Sequence, residues 1–312
     1  MPDPEGLTPC QPMPDDRPVF RFAPSPNGAL HLGHALSALI SYGRARGAGG
    51  RFLLRIEDID IVRSRPDYVA GIFEDLRWLG LAWEEPVVFQ SRRMEAYALA
   101  VRQLEALGLL YPCFATRSEI EAAAVAGKTD PDGTPLYPGL WKGRAEADIA
   151  RLKAAGAAYA LRVDMAAARR VVANRLGGAP LTFVELGAGG LPQTLKAHPE
   201  QWGDAVIVRK DVATSYHLAV VVDDAWQGVT EVTRGRDLFA ATDLHRMLQV
   251  LLGLPEPAYH HHRLIVDAGG RKLAKSARDT SLKSLHEAGA TPADIRRRIG
   301  MAPDPPGPAP AR

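Results

Sequence analysis

The sequence predicts an α/β fold, a parallel sheet with helices on its faces. Three observations carry the prediction. Between Val19 and Leu107 short apolar runs alternate with segments of helical period, which is the rhythm of a parallel sheet. Two chemically conspicuous residues, Arg21 and Glu57, fall near the carboxyl ends of the first two predicted strands, where such sheets bind ligands. With 46% hydrophobic residues, 312 residues hold enough material for one large core or two modest ones.

Val19 to Ala23 reads as a buried strand. A Pro-rich turn follows, then a helix from about Leu30 to Arg46, in which Leu32, Leu36, Leu39 and Ile40 recur at helical spacing. Arg51 to Ile56 is a second strand ending in Glu57-Asp58, and Pro66 opens a helix carrying Val69, Ile72, Phe73 and Leu76. Glu95 to Leu107 is another helix. From Cys113 to about Gln201 the pattern weakens into Ala-rich helices and Gly clusters, an α+β insertion between halves of the sheet. Asp204 to Val208 and Tyr216 to Val222 read as buried strands, the second with a first turn that also fits a helix. Asp237 to Leu252 is an amphipathic helix, and His260 to Val266 is a strand. Thr291-Pro292 is an N-cap and N1 pair for a last short helix. The expected division is a Pro-rich disordered tail over 1–17, a first half of the sheet domain over 18–112, the insertion over 113–201, a second half over 202–267, a lysine loop with a short helical piece over 268–301, and a disordered tail over 302–312.

Composition narrows the function classes. No apolar run reaches the roughly 18 residues of a membrane span, and the first residues lack the apolar core of a signal peptide, so a cytoplasmic location is expected. Cys10 and Cys113 are too few and too differently placed for a structural disulfide. With 38 basic against 36 acidic residues, net charge demonstrates no nucleic-acid partner. Arg169-Arg170 and Arg296-Arg297-Arg298 taken alone read as solvated helix faces.

Two distant segments suit one nucleotide. The first runs Arg21-Phe22-Ala23-Pro24-Ser25-Pro26-Asn27-Gly28 and on to His31-Leu32-Gly33-His34, and the second is Lys272-Leu273-Ala274-Lys275-Ser276. A helix N-terminus favours an anion, and imidazoles there donate to phosphate oxygens. Gly33 leaves room for a flat adenine or ribose against the backbone. Taken alone, a histidine pair three residues apart is two surface residues of an amphipathic helix. The spacing also lacks the general base of a zinc protease.

The whole string Arg-Phe-Ala-Pro-Ser-Pro-x-Gly-x-Leu-His-x-Gly-His resembles the signature of class I glutamyl-tRNA synthetases. Arg55-Ile56-Glu57-Asp58-Ile59-Asp60 resembles that family's second block, and Tyr216 to Asp224 the third, followed by Thr233-Arg234-Gly235. Lys272-Leu273-Ala274-Lys275-Ser276 resembles the K-M-S-K-S loop, with Ala274 a departure of little consequence because the lysines carry the charge. The resemblance implies a class I aminoacyl-tRNA synthetase, a Rossmann-like parallel sheet, and ATP with Mg2+ and L-glutamate as substrates. It implies Arg21 and Arg234 for the side-chain carboxylate, in a segment Arg21, Phe22, Ala23, Pro24, Ser25. Glu57 and Tyr216 suit the α-ammonium. ATP falls to His31, Gly33, His34, Lys272, Lys275 and Ser276, with His31, His34 and Lys275 as the catalytic groups.

Only residues 277–312 follow Ser276, too few for a helical domain with its own core, so no anticodon-binding domain is expected. The chain therefore resembles the shortened glutamyl-Q tRNA(Asp) synthetase family. That resemblance implies glutamate activation without tRNA, and transfer to queuosine at the wobble position of tRNA(Asp). A monomer is expected. The family's zinc site, a Cys-x-Cys pair and a later Tyr-x-x-x-Cys, is matched only by Cys113 and Tyr137. Ala115 and Trp141 stand at the other two positions, so no structural zinc is expected, with packing around Trp141 instead. His260-His261-His262 cannot converge on a metal from a strand, because alternate residues face opposite sides. Two alternatives stand beside this reading. One is a truncated glutamyl-tRNA synthetase that charges the terminal adenosine. The other is a non-catalytic adenylate- or RNA-binding regulator on the same scaffold.

Overall fold

A computed structural model describes residues 16–187, 190–266 and 280–302. Nearly all of both predicted tails, and the loop carrying Lys272, Lys275 and Ser276, lie outside the described residues. In chain order the first elements are β1 (Val19–Phe22), α1 (Leu32–Gly47), β2 (Arg51–Ile56), α2 (Pro66–Trp78), β3 (Glu84–Phe89), α3 (Met94–Ala106), β4 (Leu110–Cys113), α4 (Arg117–Ala123), α5 (Glu146–Ala154) and β5 (Ala160–Val163). There follow α6 (Met165–Arg175), β6 (Thr182–Leu186), β7 (Pro192–Lys196), β8 (Val206–Val208), α7 (Tyr216–Trp226), β9 (Glu231–Gly235), α8 (Ala241–Leu252), β10 (Ala258–His262), α9 (Leu282–Glu287) and α10 (Pro292–Arg298).

The chain divides into two compact units. The amino-terminal unit comprises Asp16–Ser91, Glu231–Asp237 and the described residues from His260 on, and the middle unit comprises Arg92–Thr230 and Leu238–Tyr259.

In the amino-terminal unit the strand order is β3-β2-β1-β9, with the end of β10 beside β9. β1 runs parallel to β2, Val19 opposite Arg51, and parallel to β9, Phe20 opposite Glu231. All four residues of β1 are buried, so alternation is lost and the strand reads as an apolar run interrupted by Arg21. Helix α1 covers the sheet with Ala35, Leu36, Ala38 and Leu39, whose small members bring helix and strand close. Phe20, Phe22, Leu54, Ile56 and Leu76 continue this core, and Leu282, Leu285, Ile295 and Ile299 fix α9 and α10 to it. Shaving such a leucine to alanine typically costs about 2–5 kcal/mol. The Thr291 side chain caps α10 reciprocally with Asp294, Pro292 standing in the first turn, as the sequence predicts.

In the middle unit β4, β5 and β8 form an antiparallel sheet. β6 and β7 form a hairpin, and Glu185 of β6 lies parallel and opposite Tyr259. β6, inside the predicted insertion, thus lies beside β10, with β7 on its far side. A buried knot joins α3 to α7: Arg93 Nε and the Tyr97 hydroxyl donate to the two oxygens of the fully buried Asp223, at 2.6 and 2.7 Å.

The structure corrects three elements. Tyr216 to Val222 is not a strand but the start of α7, capped by the Ser215 side chain, which accepts from the Leu218 amide. The run Leu218 to Ala225 is buried on every side, so its period is silent and an apolar run of this length fits either state. β10 starts at Ala258 and ends at His262, earlier than predicted. α8 begins at Ala241, a short 3-10 turn occupying Arg236–Leu238. Among the described residues no helix is long and apolar enough to cross a membrane.

Candidate functional site

The histidine motif is the start of α1. His31 is its N-cap, in extended backbone, and its side chain accepts from the Gly33 amide at 3.0 Å. The His31 amide in turn donates to Nδ1 of His34 at 3.1 Å. The two rings lie 3.9 Å apart between centroids. The histidines therefore meet through a reciprocal cap, not through helical spacing, since His31 precedes the first helical residue. Both Nδ1 atoms act as acceptors. In the neutral rings the proton must then sit on Nε2, which makes each Nε2 a donor. A Cβ on Gly33 would stand 2.9 Å from Cε1 of His31, so the glycine makes room for the cap's own imidazole.

The arginines, the glutamate and the turn stand on neighbouring strands. Arg21 is the third residue of β1 and is 4% exposed, and Phe22 ends the strand. Nη1 of Arg21 donates to the Thr233 carbonyl at 3.3 Å, one residue before Arg234. Arg234 lies near the end of β9, 5% exposed, and its Nε donates to Nε2 of His261 at 3.1 Å. Ala23, Pro24 and Ser25 form the turn after β1, and the Pro24 carbonyl accepts from the Glu57 amide at 3.0 Å. Glu57 follows the last residue of β2, and Oε1 accepts from the buried Arg55 at 3.2 Å. The neighbouring Asp58 serves differently, accepting the amide and hydroxyl of Ser91 at 2.8 and 2.7 Å. Arg21, Glu57 and Arg234 all stand at carboxyl ends of parallel strands, the ligand-binding edge of such sheets.

Of the other predicted residues, Tyr216 is the first residue of α7 in the middle unit. Lys272, Lys275 and Ser276 lie outside the described residues. The chain next to them is anchored: Ser281 forms a β-bridge with His31, and the Leu282 amide donates to the Leu30 carbonyl at 2.8 Å. The segment after the lysine loop thus returns to the histidine cap.

The zinc positions do not suit zinc. Cys113 Sγ lies 3.3 Å from the Tyr137 hydroxyl, which also accepts the Trp141 amide at 2.8 Å. Burial pushes the Tyr137 phenol above its ordinary range. Trp141 packs against Phe114, ring centroids 4.9 Å apart, and the Arg162 guanidinium lies 3.9 Å from the Tyr137 ring centre. Among the described residues no group of three or more His, Cys, Asp or Glu side chains is placed to hold a metal ion. His262 turns Nδ1 to the Arg263 carbonyl at 2.8 Å, and burial lowers its pKa.

Sequence reasoning missed Ser281 and His261 as parts of this region, and saw Arg55 only as one letter of a block. Their partners are 250, 27 and 2 residues away respectively. Only the charge pairing of Arg55 with Glu57 leaves a local signal.

The chain matches the family model of class I tRNA synthetases (E and Q), catalytic domain, over residues 19–304. A glutamyl-Q tRNA(Asp) synthetase of Rhodobacter capsulatus is 47% identical over 289 residues, covering 91% of this chain and 100% of that protein. Another, of Symbiobacterium thermophilum, is 41% identical over 283 residues, covering 88% of this chain and 83% of that protein. The solved glutamate-tRNA synthetase of Elizabethkingia anophelis superposes with a TM-score of 0.65 at 26% identity, over 88% of this chain. This chain covers 54% of that solved one, about half its length. With this coverage the chain belongs to the class I tRNA synthetases (E and Q), within the glutamyl-Q tRNA(Asp) synthetase family, and is a ligase.

Proposed function

We propose that the protein activates L-glutamate with ATP in the absence of tRNA, then transfers it to the cyclopentenediol of queuosine at the wobble position of tRNA(Asp). An oxygen of the glutamate α-carboxylate attacks the α-phosphorus of ATP, the bond to the β-phosphate breaks, and pyrophosphate leaves. The nucleophile arrives ionised, so the protein supplies no base at this step. Its work is positioning and charge stabilisation. A hydroxyl of the cyclopentenediol then attacks the acyl carbon and AMP departs.

In this reading Arg21 and Arg234 receive the side-chain carboxylate, each able to hold it through two parallel hydrogen bonds. Glutamine is rejected because it would leave buried guanidinium donors unpaired. Glu57 and Ser25 take the α-ammonium. His31 and His34 donate to the phosphates, Gly33 borders the nucleotide, Lys272 and Ser276 join the ATP contacts, and Lys275 follows the departing pyrophosphate. Magnesium accompanies ATP, held by phosphates and water. The cytoplasm supplies these substrates.

The observation that carries the reading is the buried pair of guanidiniums, Arg21 and Arg234, on adjoining strands of the unit that also holds the histidine cap. What supports the queuosine acceptor is the likeness to glutamyl-Q tRNA(Asp) synthetases over about nine-tenths of the chain. The test is transfer of labelled glutamate to tRNA(Asp) with and without queuosine. The account expects label only on the queuosine-bearing tRNA, mapped to the wobble nucleotide. Label on the terminal adenosine would replace this acceptor with that of the ordinary synthetases.

A further inference from the structure

We infer that His261 is a positioning residue for glutamate recognition, acting through Arg234; this rests on the proposed function and deepens it. Arg234 and His261 stand on neighbouring strands, β9 and β10, and both are buried, 5% and 9% exposed. Nε of the guanidinium donates to Nε2 of the imidazole at 3.1 Å. Guanidinium nitrogens carry no acceptor lone pair, so the imidazole must accept. Its Nε2 is therefore bare and the ring is neutral with its proton on Nδ1.

This acceptor is chemically apt for an arginine that must bind an anion. A carboxylate at the same contact would orient the guanidinium and also neutralise it. A neutral imidazole orients it and brings no negative charge to that contact. The contact engages Nε, the inner nitrogen, and so fixes the guanidinium plane from the side that does not form the terminal fork. Strand alternation makes His261 the histidine for this task. His260 and His262 point to the opposite face, and His262 meets the Arg263 carbonyl.

The experiment is glutamate-dependent ATP–pyrophosphate exchange by the full chain carrying His261→Leu, His261→Gln or His261→Asn, with a thermal melt of each. Glutamine places an amide oxygen near the site of Nε2, whereas asparagine is too short to reach it. His261→Leu should raise the glutamate KM roughly 10- to 100-fold, the usual worth of a hydrogen bond to a charged group. The ATP KM and kcat should stay within about threefold, a residual change too small to be a lost charged contact. His261→Gln should restore the glutamate KM to within about threefold of the unaltered protein by the same reasoning. If the leucine variant does not fold, glutamine against asparagine carries the same comparison. A folded leucine variant with unaltered glutamate KM would overturn the inference, as would parallel losses in every parameter with no rescue by glutamine. If the unaltered protein shows no glutamate-dependent exchange, the functional reading falls and this inference with it. Exchange by the unaltered protein with an indifferent His261 sinks this inference alone.

Discussion

The His31 amide donates to Nδ1 of His34 across 3.1 Å, so the second histidine of the motif holds the backbone of the first. With the Gly33 amide on His31 Nδ1, the inner nitrogen of each ring is committed to the start of α1. The cap and the proposed phosphate donors are thus different atoms of the same two rings, and substitution can separate them.

Asparagine is a strong N-cap and alanine a weak one. His31→Asn should keep the melting temperature close to that of the unaltered protein, whereas His31→Ala should lose about 1 kcal/mol. Both should lose ATP–pyrophosphate exchange on the order of 10²- to 10³-fold, because neither has an Nε2 donor. Thermal melts paired with exchange rates read the two effects apart.

Gly33→Ala tests the crowding of the cap. Alanine gains helix propensity of roughly 1 kcal/mol over glycine. Its Cβ would press on the His31 ring, 2.9 Å from Cε1. The ring can yield, so stability should change little while exchange falls about tenfold or more, as the donor leaves its position. Full exchange activity in this variant would show that the placement of the ring is immaterial.

Arg234→Ala should weaken glutamate far more than ATP. The loss of a buried charge-assisted contact corresponds to roughly 10- to 100-fold in the glutamate KM. The ATP KM should remain within about threefold. Equal losses for both substrates would contradict the charge matching.

The parallel strands β1 and β2 and the helices α1, α2 and α3 were legible because each carries a local period or a Pro or Gly boundary. α7 was not: an all-buried helix and a buried strand present the same apolar run, and only the Ser215 cap distinguishes them. β3 has no counterpart in the sequence reading, because its Glu84, Glu85 and Pro86 leave only Val87, Val88 and Phe89 as an apolar run. The chemistry-bearing letters of the site were readable as ordered motifs. The contacts that aim them were not, since the Ser281 bridge to His31 and the His261 contact with Arg234 arise only when distant segments become neighbours.

Asp75 on α2 should give the fold a pH dependence. Burial raises its pKa from 3.8 to about 7, with Glu74 adding and Lys283 opposing. The folded protein holds a proton that the unfolded chain releases from about pH 4 upward. The stability from this group is complete below that pH and is lost as pH rises through 7, at up to about 1.4 kcal/mol per pH unit. Asp75→Asn should flatten that decline and be the more stable protein at pH 8. Urea unfolding of both proteins at pH 5 and pH 8 measures it, and identical slopes would contradict the assignment.

The insertion should hold together without metal. Cys113 and Tyr137 engage each other, and Trp141 packs on Phe114. Metal analysis of the purified protein should find zinc well below one per chain, and a strong chelator should leave its melting temperature unchanged. A stoichiometric value would refute this account of the cysteine-poor site.

Pyrophosphate exchange into ATP, with L-glutamate present and tRNA rigorously removed, is the most direct probe of a pocket that joins the amino acid to the nucleotide. The account expects exchange that depends on glutamate and that glutamine does not support. Exchange that is absent until tRNA is added, or that runs equally well with glutamine, would contradict it.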